Sequence, residues 1–248
     1  MSFERTIGEP NPPRIEDSPD VLEDVPARTP SSLPPPGALT VHLEMGQWID
    51  SSETTMVCSV SVTSMEGLEG GGTAPVLPPL VAKFSQPGWD WRLRRGFYYY
   101  EEAEMYQGVF MARCYGLFRA TFDRECELEG PGVSLSLSGP VTVLLMERLG
   151  PHFSLSTSPE PLSPEDTKEK LERMLDHLSR LGIEHDQVNS TNLLAVLGPA
   201  EGGWPGLPSP IHNETYPWRL VGFGTAYKTN SIPSQINSFY EGCASICF

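Results

Sequence analysis

Positive charge is scarce in this chain. Against 32 Asp and Glu stand 17 Lys and Arg, so the 248 residues carry a formal net charge of −15. A surface of that sign repels phosphate backbones and anionic lipid heads, which argues against nucleic acid or membrane as partners. Long apolar runs are missing too. No stretch approaches the ~20 residues that span a bilayer, and runs such as Val143 to Met146 have strand length. The first residues lack the charged-then-apolar pattern of a leader, so the expected location is intracellular, cytoplasmic or nuclear. Cysteine is sparse and odd in number, at five. Cys58, Cys114 and Cys126 are scattered, and no His or Cys pair at zinc spacing accompanies Cys243 and Cys247. Reduced structural thiols are expected rather than a metal site. G-x-S-x-G, H-E-x-x-H, the P-loop and the nicotinamide G-x-G-x-x-G are all absent, and with them the chemistries they serve.

What is present suffices for a core, since 39% of residues are hydrophobic. Residues 1–37 read as a disordered tail. They hold nine prolines and seven acidic residues against three arginines, too little apolar surface to offset the entropy of ordering. From Ala38 the pattern changes. Leu39, Val41 and Leu43 alternate with polar residues, as do Met56, Cys58, Val60 and Val62, and the two runs predict a hairpin across residues 46–55. A Gly- and Pro-rich loop (Gly67 to Pro79) leads to a third strand, Leu80 to Phe84. Asp90 to Val109 is expected to be helical, with Arg92, Arg94 and Arg95 among Trp89, Trp91 and Phe97 read as a solvated helix face. Tyr115 to Phe122 and Val141 to Met146 supply further strands, with Gly130 to Gly139 as a linker.

The clearest helix starts at Ser163. Ser163 suits the N-cap, Pro164 the first helical position, and Asp166 stands three residues after the cap. Leu171, Met174, Leu175 and Leu178 then fall at i, i+3, i+4 and i+7, one apolar stripe. Gly182 closes it. Asn192 to Leu197 and Trp218 to Phe223 read as strands. No segment repeats.

Several motifs stand on these elements. Leu80-Val81-Ala82-Lys83 resembles the V-A-I-K strand of protein kinases, whose lysine grips ATP phosphates. Glu101-Glu102-Ala103-Glu104-Met105-Tyr106 looks like the helix that supplies the lysine's ion-pair partner, with Glu102 the choice among its glutamates. Val143 to Gly150 is similar to the strand entering a kinase hinge, with Met146 as gatekeeper and backbone groups of Glu147 and Leu149 toward the adenine. His185-Asp186-Gln187-Val188-Asn189-Ser190-Thr191-Asn192 resembles the catalytic loop H-R-D-L-x-x-x-N. Val221-Gly222-Phe223-Gly224 resembles the D-F-G strand end. The order of motifs, over residues 39 to 230, is that of the protein-kinase-like superfamily, and the style is similar to short degenerate fungal kinase-like proteins.

This resemblance implies an α+β, two-lobe kinase-like fold, truncated after the D-F-G-equivalent strand and preceded by the tail. Residues 38–150 would form the first lobe and 151–248 a partial second. It assigns Lys83, Glu102, Met146, Glu147, Leu149 and Asn192 to nucleotide binding. The departures from the pattern decide the chemistry. Gln187 stands where the catalytic Asp belongs, and an amide takes no proton at neutral pH, a loss of ~10²–10⁴ in rate. Gly222 stands where the metal-binding Asp belongs, and divalent cations need charged oxygens. Asp186 is an alternative base if the turn slips by one residue. His185 is read as structural. Lys83 and Glu102 form either an ion pair or two separately solvated ends. The phosphate-covering glycines are reduced to Gly46. The expectation is a pseudokinase that acts as a protein-binding or scaffold module, with weak ATP binding at most, no magnesium site, and a protein as its partner. The alternative is an active ATP-dependent protein or small-molecule kinase with a non-standard metal site.

Overall fold

The computed structural model describes residues 2–5, 40–52, 54–66, 76–86, 88–130, 133–154 and 163–246. Its first layer is a closed antiparallel barrel of six strands in the order β1-β2-β3-β4-β6-β5. The strands are β1 (Ser2–Arg5), β2 (Thr40–Ser51), β3 (Thr55–Glu66), β4 (Leu80–Ser85), β5 (Cys114–Gly130) and β6 (Val133–Glu147). Alternation along each strand sends one set of side chains inward. Val41 and Leu43, Met56 and Cys58, Ala82 and Phe84, and Val143 and Leu145 are buried together inside the barrel. Lys83 lies between two of these inward residues, so its side chain leaves by the opposite face.

Ser2–Arg5 falls within the segment read as a tail, yet it forms a strand. It pairs with β2 at Phe3↔Val41 and with β5 at Glu4↔Arg119, covering two edges that would otherwise be open. The rest of that segment lies outside the described residues, as do Cys247 and much of the Gly67 to Pro79 loop. The expected linker Gly130 to Gly139 is instead the start of β6, which pairs with β5 from Gly130↔Val133 onward. Its alternation of Val133, Leu135 and Leu137 with serines is the period of a strand, and the serines and glycines masked it.

Helix α1 spans Asp90–Glu102 and stops short of the expected Val109. The chain tightens there because the Tyr106 carbonyl accepts three amides, from Val109, Phe110 and Met111. Helix α2 (Pro164–Arg180) follows its sequence signals closely. The Ser163 hydroxyl accepts the Asp166 N–H at 3.1 Å, and Gly182 takes the left-handed conformation at φ +65° just past the end. Its stripe of Leu171, Met174, Leu175 and Leu178 is buried.

Strands β7 (Ile183–Glu184) and β10 (Tyr227–Lys228) pair with one another, as do β8 (Leu193–Ala195) and β9 (Trp218–Leu220). A last helix, α3 (Pro233–Ile246), was not expected from the pattern. It packs on α2 and buries Ile236 and Tyr240, four residues apart. The core of this second layer is continuous with the buried face of α1, where Tyr98, Tyr99 and Tyr100 join Leu175, Leu220 and Phe223. Helix α1 is therefore packed as much with the C-terminal elements as with the barrel.

Two substitutions in α2 measure these contributions. Leu175→Ala empties a fully buried site and should cost about 2–5 kcal/mol of unfolding free energy, while Ser163→Ala removes a cap and should cost about 1 kcal/mol. Urea denaturation of each variant, with an unchanged m-value, is the measurement.

Candidate functional site

A cleft of about 740 Å³ lies between the barrel, α1 and the turns at 187–194 and 221–225. Seven residues singled out in the sequence line it: Lys83, Met146, Glu147, Leu149, Gln187, Asn192 and Gly222. Glu102, His185 and Asp186 do not. Val81, Leu144, Met146 and Leu194 make one part of its wall apolar.

The segment leaving β6 is held tightly on both sides. The Glu147 N–H donates to Arg113 O at 2.9 Å, the Arg148 N–H to Pro79 O at 2.7 Å, and the Gly150 N–H to Ala195 O at 2.8 Å. Among the described residues no carbonyl accepts the Leu149 N–H between them. The Glu147 carboxylate is turned away from ligand chemistry. It is buried, and it accepts the Arg113 N–H at 2.8 Å and the Arg113 guanidinium at 2.7 Å.

The hairpin over the cleft has side chains where a phosphate-covering loop has glycine. Ser52 organises its tip, its hydroxyl accepting the Thr54 and Thr55 amides at 3.3 and 3.1 Å. Thr54, Thr55 and Asp50 line the cleft from the same hairpin. A loop built this way cannot bring its backbone as close to a ligand as glycines allow.

His185 fixes the register of the catalytic-loop-like turn. It is fully buried, its Nε2 donates to Val221 O at 2.9 Å, and its Nδ1 accepts the Gln187 N–H at 3.3 Å. The Tyr240 hydroxyl accepts the His185 N–H at 2.8 Å and donates to Ile183 O. Burial pushes the imidazole pKa down to about 4, so the ring is neutral near pH 7. With His185 held on both nitrogens, Gln187 faces the cleft and Asp186 is exposed outside it. The one-residue slip that would make Asp186 a base is not the observed register.

Asn192 and Gly222 meet. The Asn192 side-chain amide donates to Gln187 O at 2.9 Å, and its Oδ1 lies 2.4 Å from where a Cβ on residue 222 would sit. Gly222 also takes φ +87°, a conformation that favours glycine. A side chain there would have to push the Asn192 amide aside. The residues present do not fit a divalent cation: the carboxylates lining the cleft are Asp50 and Glu147, and Glu147 is committed to Arg113. Among the described residues no group of three or more His, Cys, Asp or Glu is arranged to hold a metal.

Glu102 needs correction. Its carboxylate pairs with Lys228 Nζ at 2.6 Å, both side chains nearly fully buried, and not with Lys83. The reason is helical phase. The face that α1 turns to the cleft carries Arg92, Leu93, Gly96 and Tyr100, and residue 102 lies well round the helix from it. Gly96, one turn before Tyr100, belongs to that face and has no side chain. The i, i+4, i+8 spacing of Arg92, Gly96 and Tyr100 is the sequence signal that these residues share one face. Among the described residues Lys83 has no hydrogen-bonded or ion-paired partner. Burial lowers its pKa first, with Asp50 pulling it up and Arg92 pushing it down.

The basic-aromatic patch is no uniform solvated face either. Arg94 pairs with Asp90 at 3.0 Å, and Arg95 is buried and donates to Ala226 O. Arg92 turns to the cleft with its guanidinium 4.9 Å from the Trp89 ring centre and 5.3 Å from that of Trp91.

No family model and no curated protein matches this chain. Solved structures do. The ROP18 kinase domain in complex with AMP-PNP and sucrose is similar at 15% identity and a TM-score of 0.51, over 77% of this chain and 54% of that one. Vaccinia related kinase 3 is similar at 13% identity and a TM-score of 0.45, over 77% of this chain and 49% of that one. The chain thus spans about half the length of each. At these identities the likeness concerns the fold, and the fold is α+β and protein-kinase-like.

Three measurements check this geometry. Removing one partner of the buried pair, as in Glu102→Gln, should cost about 3–5 kcal/mol, whereas Lys83→Met should change stability by less than about 0.5 kcal/mol. Comparable losses in the two variants would contradict the pairing described. Gly222→Asp should destabilise by about 1–3 kcal/mol through its backbone conformation alone, and chemical denaturation reads it. For pH, the depressed pKa of His185 means the unfolded chain binds the extra proton between pH 6.5 and about 4. Stability is complete above 6.5 and falls as pH drops, by about 2 kcal/mol from pH 7 to 5 for this group. Urea unfolding at the two pH values, with His185→Gln as the control that narrows the difference, is the test.

Proposed function

We propose that this chain is a non-catalytic kinase-like module, a pseudokinase, that works by binding a protein partner and retains weak nucleotide binding at most. One observation supports the proposal: Gln187 and Gly222, the residues standing where the resemblance calls for carboxylates, both line the cleft, and Asn192 Oδ1 lies 2.4 Å from where a Cβ at 222 would sit. Phosphoryl transfer depends on charge neutralisation and on a base that orients the nucleophile. An amide at 187 takes no proton at neutral pH, and Asp186 is outside the cleft. The lysine is uncoupled from α1, whose carboxylate is spent on Lys228. What remains of the cleft is shape, an apolar slot and a hinge amide.

The partner is expected to be basic. The net charge of −15 favours such a surface electrostatically and speeds its approach. The acidic segment that follows β1, up to residue 37, is the part proposed to dock on it.

A phosphotransfer assay decides the catalytic part. Purified chain with γ-phosphate-labelled ATP, magnesium or manganese, and generic protein acceptors should give no label above background. Label transfer that disappears in Lys83→Met would overturn the proposal in favour of an active kinase with a non-standard metal site.

A further inference from the structure

The inner wall of the cleft carries polar groups that the proposal above leaves unused. Lys83 reaches it from β4 without a partner among the described residues. Arg92 reaches it from the first turn of α1, stacked on Trp89 and Trp91, and its Nε is buried with no acceptor. Thr225 Oγ1, on the same wall, is also buried and without a partner. A buried polar group left unpaired costs about 1–3 kcal/mol, so Arg92 Nε and Thr225 Oγ1, two such groups on one cavity wall beside the unpaired Lys83, are a set that an acceptor from outside the chain would satisfy.

The charge of this wall is unusual for the fold's geometry. Helix α1 presents Arg92 and Gly96 here, and no carboxylate. Lys83 and Arg92 are both basic, and the nearby counter-charge is Asp50 on the hairpin, whose field Lys83 feels along with that of Arg92. The basic groups outnumber the one uncommitted carboxylate of the lining, Asp50. Stacking on two indoles fixes the guanidinium plane and removes rotamer freedom that binding would otherwise cost. A planar guanidinium with a free N–H suits a phosphate oxygen geometrically. The apolar slot of Val81, Leu144, Met146 and Leu194, with the Leu149 N–H at its edge, suits a flat heterocycle bearing a hydrogen-bond acceptor.

We infer that the cleft binds a purine nucleotide as its free anion, with Arg92 neutralising the phosphate charge in place of a divalent cation and Lys83 and Thr225 completing the contact. This rests on reading the cleft as non-catalytic. Of the carboxylates lining the cleft Glu147 is committed to Arg113, which leaves magnesium Asp50 alone, and on a nucleotide the metal competes with Arg92 for the same oxygens. Metal therefore leaves the affinity unchanged or weakens it.

Isothermal titration of the full chain with ADP in EDTA, and again with excess magnesium, tests the inference. Adenosine and pyrophosphate are the arms that separate ring from anion. ADP should bind in EDTA at least as tightly as in magnesium, and more tightly than either fragment. Arg92→Gln should weaken ADP by about tenfold or more, toward adenosine, as expected for losing a charge-assisted contact. Arg92→Lys should recover part of the loss, and a circular dichroism melt matching the parent shows that the variants fold. ADP that binds only with magnesium, binds Arg92→Gln equally, or does not bind at all overturns the inference. Such a failure leaves the non-catalytic reading standing, because that reading answers to the phosphotransfer assay. Label transfer there sinks the reading whatever the titration shows.

Discussion

The buried pair of Glu102 and Lys228 joins α1 to β10 across 126 residues of sequence, and the arrangement of the cleft follows from it. A carboxylate and an ammonium this deeply buried are tolerable only together, since either alone would face a desolvation cost of several kcal/mol. The same helix donates from Arg95 to Ala226 O and stacks Tyr100 edge-on against Phe223 at 5.2 Å. Helix α1 is thereby fixed to the segment that carries Gly222. Its rotation is set, and with it the identity of the residues that reach the cleft. Arg92 faces inward because Glu102 faces Lys228.

That rotation has an electrostatic result. In a fold where a strand lysine is expected to be balanced by a helix carboxylate, the balancing charge is directed elsewhere. The cleft keeps two cations on its inner wall and Asp50 on the hairpin above. Across from them, Asn192 Oδ1 stands where a Cβ at 222 would clash, and His185 holds the turn with both ring nitrogens engaged. Each of these features fixes which groups the cleft presents, and none loosens the scaffold that presents them.

Much of the fold was legible in the sequence because local signals and burial agreed. The cap, first-turn proline and apolar stripe of α2 each have a short-range physical cause, and all point to one helix. Alternation marked β2, β3 and β4 for the same reason. Elements failed to show where composition diluted the period. The serine-rich start of β6 read as a linker, and among its described side chains α3 buries Ile236 and Tyr240, a sparse pair. Strand β1 has four residues, too few for periodicity to register, and gains its stability from the two edges it covers.

For the candidate site, the sequence by itself determined which chemical groups are available: an amide at 187, a bare backbone at 222, a lysine at 83 on a strand between two inward residues. Identity is a local property, and no packing can turn Gln187 into a base. What the tertiary structure alone decided is which groups meet. Helical phase and a distant lysine turned Glu102 away, brought Arg92 in, and left Asp186 outside, because contacts between residues far apart in the chain depend on how elements rotate against one another, and local pattern carries no record of that rotation.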